Sequence, residues 1–132
     1  MADKYTHKEG IVYLNQFHIV FCPKYRRKVL VNDIANDLEE IFNEVALEKE
    51  VEIKALEIRP DHVHMFISFD PRQPLHELIK AFKGRSSRQL RDKYPKLKSR
   101  IPSLWTRSYF SCTIGHISEE TIQHYIENQK HV

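Results

Sequence analysis

The stretch HVHMFISF, His62–Phe69, decides the fold of this chain. Side chains alternate across a strand, so Val63, Met65, Ile67 and Phe69 line one apolar face, while His62, His64, Phe66 and Ser68 line the other. A face that continuously apolar belongs against a core. Turn residues bound the stretch, Arg59-Pro60-Asp61 before it and Asp70-Pro71 after it. Just upstream, VEIKALEI at 51–58 reads as another strand whose alternation slips near Ala55–Leu56, where a bulge is expected. The two form an antiparallel hairpin.

Working outward, IVYLNQFHIVFC at 11–22 reads as a strand rich in β-branched and aromatic residues. Phe17, Ile19 and Phe21 point one way, and His18 and Val20 the other. Asn32 or Asp33 can cap a helix over 33–49, with Ile34, Leu38, Ile41, Phe42 and Val45 at helical spacing. A second helix is expected over 74–91, with Leu75, Leu78, Ile79, Phe82 and Leu90 on one stripe. Gly84 inside it costs roughly 1 kcal/mol against Ala, which points to a close approach or a weak helix. Residues 93–107 read as a basic, proline-containing loop, and SYFSCTIG at 108–115 as a last strand. A final helix begins at Ser118, with Ile117 and Ile122 spaced as a hydrophobic staple and Glu119 and Glu120 in the first turn. The order β-α-β-β-α-β-α predicts one α+β domain over 1–132. It is a ferredoxin-like, RRM-like antiparallel sheet with helices on one face and an added C-terminal helix.

Composition narrows the function. No apolar run approaches the roughly 20 residues that span a bilayer, and MADKYTHKEG has no apolar signal core, so a cytoplasmic protein without membrane partners is expected. Cys22 and Cys112 form no CxxC and read as two reduced thiols. The phosphate-binding patterns GxGxxG and GxxxxGK[ST] are absent. Net charge is +3, but from Pro71 to Arg107 eleven Lys/Arg face two acids, Glu77 and Asp92. Such a segment suits a polyanion, nucleic acid before membrane.

Two pairs of residues carry candidate chemistry. His62 and His64 emerge side by side from one strand face, and neutral imidazole is a common ligand of divalent transition metals. Taken alone, they read as two surface histidines on an exposed strand face. A histidine-triad hydrolase would need a third alternating His where Phe66 stands. Tyr125 and Gln129 lie one turn apart on the last helix. A phenol with its pKa near 10 needs a proton acceptor or a metal-activated electrophile to act as a nucleophile. Gln129 offers an amide oxygen acceptable to Mg²⁺ or Mn²⁺. Alone, Tyr125 reads as a packed phenol.

Together these elements resemble the small single-tyrosine HUH transposases of the insertion sequence 200/605 family. The likeness runs through HIVFCPKYRRKVL (18–30), EIRPDHVHMFISF (57–69), FKGRSSRQLR (82–91), LWTRSYFSCTIG (104–115) and YIENQ (125–129). The resemblance implies a transposase that cleaves and rejoins single-stranded DNA at hairpin-bearing element ends. Tyr125 would form a 5′-phosphotyrosine link and release a 3′-hydroxyl. His62, His64 and Gln129 would hold a divalent metal, Mg²⁺ or Mn²⁺. The family forms homodimers in which the tyrosine helix of one subunit can complete the site of the other. Lys83, Arg85, Ser86, Ser87 and Arg88 are the candidate DNA contacts, and Trp105, Tyr109 and Phe110 are candidate base-stacking groups or core. Alternatives are a repeat-palindrome processing nuclease of the same fold and a non-catalytic RRM-like binding module.

Overall fold

The computed structural model describes residues 4–113 and 115–129. The hairpin at its centre joins β4 (Glu52–Arg59) to β5 (His62–Ser68), with β1 (Thr6–Lys8), β2 (Ile11–Tyr13) and β3 (Gln16–Phe21) preceding it in the chain. His64 pairs with Glu57 and His62 with Arg59, and the register slips between Ile53 and Ala55, beside the expected bulge. On its other edge β5 meets β3 antiparallel, with Val20 opposite His64 and His18 opposite Phe66. The short strand β6 (Phe110–Cys112) closes the far side of β3. The order β4-β5-β3-β6, antiparallel throughout, is that of the ferredoxin-like split β-α-β unit.

Alternation sorts the sheet into two faces. Ile19, Phe21, Val63, Met65 and Ile67 are buried against α1 (Asn32–Lys49) and α2 (Leu75–Lys93). Leu38, Ile41, Phe42 and Val45 supply one helical stripe, and Leu78, Ile79, Phe82 and Leu90 the other. Phe42 stands edge-on to Phe21 at 6.1 Å and to Phe82 at 5.6 Å, an arrangement suited to the ring quadrupole. Truncating any of the three to Ala would cost about 3–5 kcal/mol. The opposite face carries a smaller cluster. Val20 and Cys22 meet Ile117, Ile122 and Ile126, so α4 (Glu119–Glu127) covers part of that face. The remainder stays open as a shallow pocket of about 200 Å³ bounded by His18, His64 and Phe66.

Four local features depart from expectation. The strand expected over 11–22 breaks at Leu14–Asn15. Asn15 leaves the ladder to bond Phe69, its side-chain amide donating to the Phe69 carbonyl and its own carbonyl accepting from the Phe69 N–H. The residues before it fold back as the β1–β2 hairpin, turning at Gly10 with φ +81°. Helix α1 takes no side-chain cap from Asn32 or Asp33; Asn32 instead adopts φ +52°, a conformation asparagine tolerates, and Val31 is the N-cap. The basic segment 93–107 is not all loop: Pro95 opens a short helix α3 (Pro95–Arg100) that buries Leu97. Finally, of the two readings of Gly84, close approach of a neighbouring backbone is not seen, since a Cβ there would meet no atom of the described residues within 4 Å.

Helix α4 begins as its sequence dictates. Ser118 is the N-cap, its hydroxyl accepting from the Thr121 N–H at 3.1 Å, and Ile117 and Ile122 are both buried in the small cluster. Among the described residues no helix is long and apolar enough to cross a membrane.

Candidate active site and its relatives

Strand β5 turns His62 and His64 to the face that α4 partly covers, as their pairing with β3 requires. Each ring is held by a neighbour. The Nδ1–H of His62 donates to Asp61 Oδ1 at 2.9 Å, which leaves Nε2 with a free lone pair. His64 Nε2 lies 3.0 Å from His18 Nδ1, and His18 Nε2 lies 3.3 Å from the Gly115 carbonyl. A carbonyl only accepts, so His18 donates through Nε2. With both rings neutral, His64 then donates to His18 and keeps its own Nδ1 lone pair. His18 also stacks on Phe66, at 4.3 Å between centroids. Burial, reinforced by the adjacent His18, holds the His64 imidazole below its ordinary pKa, which favours the neutral, ligating form.

Tyr125 sits half-buried on α4, beside Phe110 at 5.8 Å between centroids, with its hydroxyl 3.1 Å from Ser108 Oγ. Burial pushes the phenol up to about 12, partly offset by the Ser108 hydroxyl. Helix α4 ends at Glu127, two residues before Gln129. The chain keeps turning, however, because the Gln129 N–H donates to the Ile126 carbonyl, so the near-one-turn spacing from Tyr125 persists. Gln129 Oε1 is buried and has no hydrogen-bond partner among the described residues. An unpaired buried amide oxygen costs about 1–3 kcal/mol, which a cation ligand would offset. Among the described residues no three His, Cys, Asp or Glu side chains gather for a metal. Two oriented imidazoles and one orphaned amide oxygen are nonetheless donor types that would fit a hexacoordinate divalent ion with open positions. The direct contacts in this region join His64 to His18 and Tyr125 to Ser108. Neither His18 nor Ser108 was legible as a site residue.

The candidate DNA contacts on α2 divide. Ser86 is corrected: it is fully buried, donates to the Phe82 carbonyl at 2.7 Å and accepts from Trp105 Nε1 at 2.9 Å, so it cannot meet a phosphate. Lys83 turns inward as well. Its ammonium donates to the Thr106 and Ser108 carbonyls, at 2.7 and 3.1 Å, and burial pushes it down to about 8. Arg85 pairs with Glu48 on α1. Arg88 is exposed and Ser87 half-buried. Trp105 is core, edge-on to Phe21 at 4.8 Å, and Tyr109 packs on the core with its hydroxyl 3.1 Å from His76 Nδ1. Cys22 is buried, its thiol pushed up to about 12 by desolvation, and neither cysteine is disulfide-bonded.

Residues 11–129 match the family described as "Transposase IS200 like". The ISDra2 transposase TnpA of Deinococcus radiodurans is 38% identical over 122 residues, covering 91% of this chain and 87% of that protein. The transposase for insertion sequence element IS200 of Salmonella typhimurium is 32% identical over 116 residues, covering 86% and 76%. A crystal structure from Deinococcus radiodurans, described as a transposase, superposes with a TM-score of 0.87 at 35% identity, covering 94% of this chain and 97% of that one. A REP-associated tyrosine transposase bound to a REP hairpin shares the fold, with a TM-score of 0.58 at 14% identity over 86% of this chain and 62% of that one. With a match that takes in both histidines, the tyrosine and the glutamine, the chain belongs to the IS200-like transposase family.

Proposed function

We propose that this transposase cuts and rejoins single-stranded DNA at hairpin-bearing element ends, with Tyr125 as nucleophile and a divalent metal, Mg²⁺ or Mn²⁺, held by His62, His64 and Gln129. The observation that carries the reading is the docking of α4. It packs a half-buried tyrosine against the sheet face that bears the two oriented histidines, and the turn after it carries a buried, unpartnered amide oxygen at Gln129. When bound, the ion supplies charge stabilisation and orientation at the scissile phosphate. The chain's own residues do the rest. Tyr125 loses its phenolic proton to water, and its oxygen attacks phosphorus in line with the 3′-oxygen. The P–O3′ bond breaks, and the leaving oxygen takes up a proton as a 3′-hydroxyl. The phosphotyrosine ester keeps the energy of the broken bond, so a second 3′-hydroxyl can displace Tyr125 and rejoin the strand without a nucleotide cofactor. Asp61 and His18 hold the imidazoles, and the small α4 cluster keeps water from the buried side of the phenol.

We further infer that the protein acts as a homodimer, as the resemblance implies. Nucleophile and third ligand lie on α4 and the turn that directly follows it, so docking α4, within a subunit or on its partner, would assemble the site in a single step. Exposed cations such as Arg88 would meet the DNA backbone.

The test uses labelled single strands spanning the DNA that flanks the protein's own reading frame, with Mg²⁺ or Mn²⁺. The wild type is expected to form a covalent adduct that chelator abolishes. Tyr125→Phe should form none while keeping its DNA affinity. An adduct with Tyr125→Phe would overturn the nucleophile, and full activity in chelator would overturn the metal.

A further inference from the structure

The turn that enters β6 is built around Ser108. The Ser108 N–H donates to Thr106 Oγ1 at 3.3 Å, and that hydroxyl donates to the Ser108 carbonyl at 3.3 Å. The same carbonyl accepts from Lys83 at 3.1 Å, and Lys83 also holds the Thr106 carbonyl while lying over the Phe21 ring at 5.6 Å. Thr106 is buried, and its N–H donates to the Cys22 carbonyl at 3.0 Å. The turn is thus pinned to the end of β3 and to α2 through backbone groups and through the side chains of Thr106 and Lys83. Among the described residues the Ser108 side chain makes no bond that holds it. Its hydroxyl reaches across to Tyr125, 3.1 Å from the phenolic oxygen.

We propose that Ser108 positions the tyrosine nucleophile, fixing the direction of the Tyr125 hydroxyl once α4 has docked. This rests on Tyr125 being the nucleophile. The chemistry asks for a hydroxyl at this place. While the phenol keeps its proton, Ser108 Oγ can accept it, an arrangement that leaves the lone pairs of the phenolic oxygen directed away from the turn. Once the proton has gone, the Ser108 hydroxyl rotates and donates to the phenolate. A carbonyl could serve only the first state, whereas a hydroxyl serves both. Phe110 limits the tilt of the ring and Ser108 the placement of its oxygen, which together restrict the approach to phosphorus. Lys83, read from the sequence as a DNA contact, becomes a strut that acts on the nucleophile through Ser108.

Because backbone groups hold the turn, Ser108→Ala is a clean substitution, with Ser108→Thr as the conservative variant. Three quantities are measured on the full chain: the single-turnover rate of adduct formation at saturating single-stranded DNA, the DNA Kd without metal, and the ¹⁹F spectrum of 3-fluorotyrosine-labelled protein. The Tyr125 resonance is identified by its loss in Tyr125→Phe. Ser108→Ala is expected to slow adduct formation about tenfold or more, because a hydrogen bond to a charged oxygen is lost. It should leave Kd unchanged and move the Tyr125 resonance, and Ser108→Thr should restore most of the rate. An unchanged rate, an unmoved resonance, a Kd that worsens in step with the rate, or no recovery with Thr would each overturn the proposal. If Tyr125→Phe itself forms the adduct, the nucleophile reading fails instead, and a moved resonance in Ser108→Ala still reports the contact.

Discussion

Asp61 does for His62 what no ligand could do for itself: by accepting the Nδ1 proton it settles which nitrogen remains open. Asp61→Asn keeps the size of the side chain but can present an N–H to that nitrogen and reverse the tautomer. Mn²⁺ affinity, followed by titration calorimetry, is expected to fall about 10- to 100-fold. Thermal stability should barely change, because Asp61 is outside both apolar clusters. An unchanged affinity would remove Asp61 from the site. At this scale, what was readable in the sequence was what lies close along the chain. The His62/His64 pair follows from strand alternation, and the Ser118 cap and its staple from spacing within one turn. What was unreadable joins distant residues: His18 to His64 across 46 positions and Ser108 to Tyr125 across 17. Ser86 was misjudged for a related reason. A serine among arginines looks solvent-facing, and only Trp105 folding over the helix shows that its position belongs to the core.

Among the elements, α1, α2 and the β4–β5 hairpin were legible because each carries a long apolar pattern with clear ends. The strand at 11–22 and the segment 93–107 were not. Asn15 breaks the first by a bond to Phe69, 54 positions away, and α3 is too short for its pattern to stand out from its charges. The elements also differ in how firmly they are held. Helices α1 and α2 join the large cluster, whereas α4 adheres through Ile122 and Ile126, the Ile117 staple, and a long contact from Arg26 to the Ile126 carbonyl at 3.4 Å. Each buried isoleucine is worth about 1.5–3 kcal/mol, so docking is a modest free energy. Amides of α4 are expected to exchange with deuterium well before those of α1 and α2, by a local opening. Ile126→Ala should speed α4 exchange further while leaving α1 and α2 protected. Equal protection of all three helices would show that α4 opens only with the whole molecule.

For the whole molecule, the ferredoxin-like order was legible from the succession of elements, and a solved transposase structure shares the fold. The distribution of charge was legible only in part. The basic stretch exists, but Lys83 and Arg85 are tied down within the fold, while Arg88, Lys96, Lys98 and Arg100 are exposed. Binding to single-stranded DNA without metal is expected to weaken linearly on a log–log plot against salt. The slope should be about −0.7 per phosphate neutralised. Arg88→Ala should flatten that slope and Ser86→Ala leave it alone, as fluorescence anisotropy can measure. A salt-independent Kd would mean that the exposed cations do not meet the backbone. The two unequal clusters on opposite faces of one sheet bear also on how such a protein fails when warmed. The large cluster is expected to set the temperature at which the chain melts, and the small one the temperature at which the tyrosine leaves its place. If the two differ, warming is expected to abolish adduct formation before it unfolds α1 and α2, and cooling from that range should restore it.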